Sequence, residues 1–307
     1  MRSWLTLALL AAIVCGLGAW VYYRPQPDAL PAHAIASVRP DNVKHVRLER
    51  LIDVTESPAQ GNAAHRGFVV VLERKNGEWR MMFPVAARAD AFQTERLTSI
   101  LEARSTVRYP ATDAARYGLD QPVARLTLDG ETFIYGALNS TTREQYVATR
   151  EGVYAVPLNY AAALPRNADV LIAREVLAKT EVPVRFELGD FSVFLDGGTW
   201  RVTPPAVEAS ADERSTWVDR WRQASAINAL RHDGRAAKEH VKVQLADSRA
   251  IDIGILQREP ELVLVRGDEG VQYHFFGREA KRLLLPPGTA AEAQGAAASA
   301  PPKAQQR

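Results

Sequence analysis

Hydrophobic and polar positions along the chain change their periodicity twice. Trp4 to Tyr23 is an apolar run of twenty residues, relieved only by Thr6 and Cys15 and closed by Arg24. At about 1.5 Å per residue, a helix of that length covers roughly 30 Å, the hydrocarbon thickness of a bilayer. The run therefore predicts a transmembrane helix. Pro25, Pro27, Pro31 and Pro40 follow and predict an extended spacer, after which Val43, Val46 and Leu48 suggest a first strand. From Gly67 the pattern becomes short alternating runs separated by turn residues. Phe68 to Arg74 and Trp79 to Phe83 flank Asn76-Gly77, a strong hairpin signal. Asp90, with Gln93 three residues on, opens a helix with Leu97, Ile100, Leu101 and Val107 on its apolar face. Two further hairpins follow: Ala124 to Leu128 and Thr132 to Tyr135 around Asp129-Gly130, then Tyr146 to Thr149 and Val153 to Val156 around Glu151-Gly152. A short helix from Asn159 closes at Leu164-Pro165.

The second half repeats this plan. Phe191 to Leu195 and Trp200 to Val202 flank Gly197-Gly198, with Trp200 lying 121 residues after Trp79. Ser210 and Glu213 form a capping box 120 residues after Asp90, and Trp217, Trp221 and Ala224 make the buried face of the helix it opens. Gly254 and Gly270 keep the 16-residue interval of Gly136 and Gly152, and Leu285-Pro286 answers Leu164-Pro165. Strand parity fits only with a one-residue slip, because an offset of 118 sets Leu126 and Leu128 opposite Gln244 and Ala246. Five ordered landmarks favour a true duplication over a chance likeness of two α+β halves.

The expected fold class is thus α+β: an N-terminal transmembrane helix, then two tandem repeats of antiparallel hairpins, each packed with a helix. The expected organisation is an anchor over 1–23, a Pro-rich linker and first strand over 24–66, repeats over 67–180 and 181–287, and a disordered Ala-, Gln- and Pro-rich tail over 288–307. Lys and Arg number 38 against 36 Asp and Glu, a balance that argues against a nucleic-acid binder. The only cysteine, Cys15, lies in the apolar run, so neither an intramolecular disulfide nor a Cys-based metal site in the body is expected.

The run also admits two other readings. A cleaved signal peptide would have a shorter core, and here the nearest small-x-small sites, Ala32-His33-Ala34 and Ala34-Ile35-Ala36, lie far downstream. A lipoprotein signal would place a small residue before Cys15, where Val14 stands. Trp4 at one end and Trp20, Tyr22 and Tyr23 at the other match the aromatic belts of a retained anchor. Arg2 and Arg24 nearly tie on the positive-inside count; a cytoplasmic N-terminus is preferred because long following domains cross with little regard to charge. That places a single-pass protein in the inner membrane with its bulk in the periplasm.

Tyr117-Gly118-Leu119-Asp120-Gln121-Pro122, the Trp-then-Pro hairpin and helix cap before it, and the Val153-Tyr154-Ala155-Val156-Pro157 strand after it resemble the bacterial family named domain of unknown function 4340. The likeness covers Phe68 to Leu177; the second half carries Arg231-His232-Asp233-Gly234 where the Tyr-Gly-Leu element would stand. The resemblance implies a single-anchor envelope protein, often encoded beside ABC-transporter components of the gliding-motility type.

Candidate chemistry changes the picture little. No phosphate-binding loop, dinucleotide fingerprint or nucleophile elbow is present. His33, His45, His65, His232, His240 and His274 show no metal-ligand spacing, and His232-Asp233 with His240 reads as solvated loop. No catalytic, cofactor-binding or metal residue is assigned and no cofactor is expected. The expectation is a non-enzymatic interaction or accessory protein whose partners are the inner membrane and, as the family resemblance implies, ABC-transporter subunits, without nucleic acid. The alternative is a domain that binds or hydrolyses envelope glycans or another ligand in a pocket between the repeats.

Overall fold

The computed structural model describes residues 10, 12–20, 32–51, 67–204, 209–277 and 282–289. The tail beyond 289, most of the linker and both ends of the expected anchor lie outside these residues. Within that apolar run, residues 12–20 are helical. Among the described residues no helix is long and apolar enough to cross a membrane.

The alternation of apolar and polar residues yields antiparallel sheets throughout. In chain order the first unit contains β1 (His33–Ala34), β2 (His45–Arg50), β3 (Phe68–Lys75), β4 (Glu78–Phe83), β5 (Ala87–Arg88), helix α1 (Ala91–Thr98), β6 (Arg104–Ser105), β7 (Arg108–Tyr109), β8 (Ala124–Leu128), β9 (Glu131–Asn139), β10 (Glu144–Ala148) and β11 (Val153–Pro157). Helix α2 (Leu158–Ala162) leads into the second unit: β12 (Pro183–Leu188), β13 (Phe191–Asp196), β14 (Thr199–Thr203), helix α3 (Ala211–Arg222), β15 (Asn228–Arg231), β16 (Glu239–Leu245), β17 (Ala250–Gln257), β18 (Leu262–Arg266) and β19 (Val271–Phe275). The first sheet runs β5-β4-β3-β2-β8-β9-β10-β11-β7 and the second β14-β13-β12-β16-β17-β18-β19-β15. With β5 set aside, the two orders coincide element for element.

Two differences from the sequence reading have simple causes. The strand grouped with the linker, β2, is instead central to the first sheet, pairing with both β3 and β8. Its counterpart β12 meets β13 across the tight turn Gly189-Asp190, whereas residues 51–67 separate β2 from β3. The one-residue slip is absorbed in a turn. Leu128 faces Glu131 across Asp129-Gly130, while Leu245 donates to the carbonyl of Arg249 at 2.8 Å across a turn one residue longer, with Ser248 at φ 69°. The longer turn restores parity, so Val243 and Leu245 point into the core as Leu126 and Leu128 do.

Helices α1 and α3 start where their caps place them. The Asp90 carboxylate accepts from Gln93 N–H at 2.9 Å, and Ser210 and Glu213 make the reciprocal capping box. Helix α1 stops at Thr98 and tightens into a 3-10 turn over Ser99–Glu102, so Val107 leaves the apolar face and stands exposed. Trp217 and Trp221 are buried, with Arg222 outside them bridged to Asp219.

The Tyr-Gly-Leu element is a crossing. After the 3-10 turn Ala115–Tyr117, Gly118 takes φ 65° and the chain passes over β9 at Gly136. A methyl on Gly136 would strike the Tyr117 carbonyl oxygen, and one on Gly118 would lie 2.7 Å from Ala137 Cβ. In the second unit Ala237 sits over Gly254 in the same way. Gly136→Ala is therefore expected to cost about 1–3 kcal/mol through backbone overpacking. Gly267→Ala, where an added methyl meets nothing within 4 Å, should change stability by less than about 0.5 kcal/mol. Urea titrations of both variants check the contrast; equal midpoints would refute the crossing.

Candidate functional site

The chemistry-bearing side chains converge where the two repeats meet. Residues 171–176, between the repeats, form an extended strap hydrogen-bonded to both. Asp90 N–H donates to Leu171 O and Ala173 N–H to Arg88 O on one side, and Val176 N–H donates to Ala224 O on the other, all between 2.9 and 3.0 Å. Isolated bridges Ala89–Ile172 and Glu175–Ser225 mark the same two contacts.

Beneath the strap lies a buried ionic network. Arg88, on β5, donates through Nε to Glu269 Oε1 at 2.6 Å, and through Nη2 to the Glu175 and Val176 carbonyls. Tyr273 Oη donates to Glu269 Oε2 at 2.9 Å. Arg266, at the end of β18, makes a bidentate contact with Glu181 at 2.8 and 3.0 Å and also holds Asp268. The Val176 carbonyl accepts from both arginines. Arg88 is 8% exposed, Glu269 5%, Arg266 2% and Glu181 8%, so these four charges are screened from water, while Asp268 stands at the solvent-facing rim.

Burial works against the charge of both arginines, yet their carboxylate partners outweigh it and hold both guanidiniums above their usual value. For Glu181 and Asp268 burial pushes upward, and the hydrogen bonds from Arg266 prevail, leaving both below the usual carboxylate range. Burial, then the negative charge of Glu269, raises the Tyr273 phenol. Arg88 joins the first repeat to Glu269 and Tyr273 of the second, and Arg266, paired to Glu181 and Asp268 within the second, holds the strap through the Val176 carbonyl.

Beside it opens a cavity of about 190 Å³ whose walls come from all three parts of the molecule. Asp90 and Gln93 belong to the start of α1, Asn167, Asp169, Val170 and Arg174 to the connecting segment, and Ile227 to Leu230 to the edge of the second sheet. Arg231 N–H donates to the Asp169 carboxylate, and burial raises that carboxyl despite this bond. A wider groove of about 590 Å³ lies on the first sheet between residues 34–37 and the turns at 130–134 and 148–151. Of its two acidic residues, Glu131 and Glu151, Glu131 accepts from Ser37 N–H and Oγ, fastening the N-terminal segment. Neighbouring Asp129 likewise accepts from Lys44 and His45 N–H.

The sequence profile of a domain of unknown function, DUF4340, matches residues 79–249, more than half of the chain. The chain belongs to the DUF4340 family. The match crosses from the first repeat into the second, and so carries the likeness beyond Leu177 through β16. No curated protein and no solved structure matches the chain. In DUF4340 terms the matched span contains Arg88, the strap and Glu181, while Arg266 and Glu269 lie beyond it.

The histidines singled out in the sequence do not gather. His240 pairs with Asp252 at 3.0 Å in an exposed position, whereas Asp233 is held by Arg235 at 2.8 Å. Among the described residues no group of three His, Cys, Asp or Glu could hold a metal ion. Sequence reading missed the seam. Its signal was an arginine inside a small apolar stretch, Ala87-Arg88-Ala89, and another ending the apolar run Leu262 to Val265.

Proposed function

We propose that this DUF4340 protein is a single-pass, membrane-tethered interaction module without catalysis of its own, its body on the periplasmic side and its partner an ABC-transporter-like complex. The observation that supports the tether is the helical stretch at residues 12–20 with its neighbour Leu10. Every residue from 12 to 20 is apolar and exposed, and Leu10, Ile13, Val14, Leu17 and Trp20, at 51% to 63%, form its bulkiest face. A helix apolar all round belongs in a bilayer or a protein core, and the run of which this is the middle is long enough to span. The ionic seam supports the second part of the reading, because it gives the two repeats a fixed relation and lets them present one surface. The transporter partner rests on the company that the family resemblance implies.

Carbonate extraction of membranes from cells expressing the full chain tests this. The wild-type protein should stay in the membrane pellet, and a C-terminal alkaline phosphatase fusion should be active. Leu10→Asp with Val14→Asp, each costing insertion about 2.5–3.5 kcal/mol, should move the protein to the soluble fraction. Recovery of the wild-type protein in the carbonate supernatant overturns the tether. Crosslinked pull-down that returns no transporter subunit overturns the partner.

A further inference from the structure

The cavity at the seam holds opposite charges that are not spent on each other. Arg174 lines it together with Asp90 and Asp169 yet forms no ion pair with either, nor with any other described residue. Exposed surface arginines are often unpaired, but here the guanidinium and two carboxylates share the wall of one cavity of about 190 Å³. Asp90 uses one carboxylate oxygen to cap α1, and the other is left over. Asp169 receives one backbone N–H, from Arg231. Gln93 spends its side-chain oxygen on Arg96 and Asn167 spends its own on Val170 N–H, so both turn amide N–H groups to spare.

Two more features narrow the chemistry. Val170 and Ile227 line the same cavity and remain 41% and 57% exposed, an apolar patch inside a polar rim. The outer edge of β15 is flanked by the turn at 168–171 and by the strap: His232 N–H donates across the sheet to Gly270, Arg231 N–H points the other way to Asp169, Ala226 N–H is taken by the Arg174 carbonyl, and Ala229 lies between them on that outer side. A ligand that suits this set has an ammonium, a carbonyl or carboxylate a few ångströms from it, and an apolar side chain between them.

We propose that the seam cavity binds an apolar α-amino acid, free or as the first residue of a peptide, with its ammonium on Asp169, its side chain against Val170 and Ile227, and its carbonyl end toward Ala229 and Arg174. The cavity volume admits one residue, so the rest of a longer peptide leaves through the cavity mouth. The proposal does not depend on the tether: a chain that fractionates as soluble and still binds leaves it standing.

Titration calorimetry on the full chain in detergent micelles tests it with three probes: L-leucine, L-leucyl-glycyl-glycine and N-acetyl-L-leucine. The first two should bind and the acetylated probe should not. Leucine binding at least as tightly as the tripeptide identifies the free amino acid as the source; tighter tripeptide binding identifies a peptide end. Asp169→Asn keeps an oxygen for Arg231 N–H and should weaken binding of either by about tenfold or more, the worth of a charge-assisted hydrogen bond. Arg174→Gln should weaken leucine more than the tripeptide. No heat from any probe up to roughly 10 mM, equal binding of N-acetyl-leucine, or unchanged affinity in Asp169→Asn overturns the proposal.

Discussion

Arg88→Met is expected to lower the stability of the protein by about 3–5 kcal/mol, the usual cost of removing one partner of a buried ion pair. The methionine fills a similar volume, so packing is largely kept and the loss comes from what is stranded. Glu269 loses the guanidinium that neutralises it, and the Glu175 and Val176 carbonyls lose donors. Because those groups belong to the strap and to the second repeat, the damage falls on the seam. Urea unfolding should therefore separate into two transitions where the wild type shows one. Removing both partners, as Arg88→Met with Glu269→Met, should cost less than the single change, since no charge is then left buried alone. A single variant within about 1 kcal/mol of wild type would mean that the pair behaves as a surface salt bridge, and the seam would not hold the repeats.

How far the sequence foretold this architecture depends on the range of the interaction. Local signals carried through. Asn76-Gly77 and Asp129-Gly130 turn where expected with positive φ at all four residues, and Asp90 and Ser210 cap the helices that follow. The duplication was legible because glycine spacing survives where side chains do not: Gly136 and Gly254 each lie under a crossing segment that leaves no room for a methyl. The central place of β2 was hidden, since fifteen or more residues part it from β3 and alternation in a six-residue strand does not reveal which neighbour it pairs with. The seam was hidden for a different reason. Arg88 and Glu269 are 181 residues apart, and each in isolation has the look of a solvated charge. Only the packing of β5 against the β18–β19 turn, where Gly270 comes close to Val85, removes the water from around both. Asp90 was read as a helix cap, which it is; that its second oxygen opens into a cavity follows from where the strap runs.

Trp221→Ala is the second change with a large expected effect, about 3–5 kcal/mol for an aromatic removed from a packed interior. Trp221 is fully buried, its ring 5.6 Å from Phe186 and 6.2 Å from Trp217. Its indole N–H donates to the Leu283 carbonyl at 3.0 Å, and that of Trp217 to the Leu285 carbonyl at 2.8 Å. The two tryptophans thus fill the space between α3 and its sheet and also fasten the segment that follows β19. The two roles can be separated. Trp221→Phe keeps most of the volume and removes the donor, so it should cost about 1–3 kcal/mol, and amide exchange at Leu283 and Leu284 should accelerate. Leu97→Ala on α1, a buried position of the first repeat's helix with no such hydrogen bond to a following segment, should destabilise by about 2–5 kcal/mol without changing exchange near Leu164. If Trp221→Phe leaves exchange at Leu283 unchanged, the indole fills space only, and the helix of the second repeat differs from that of the first in size alone.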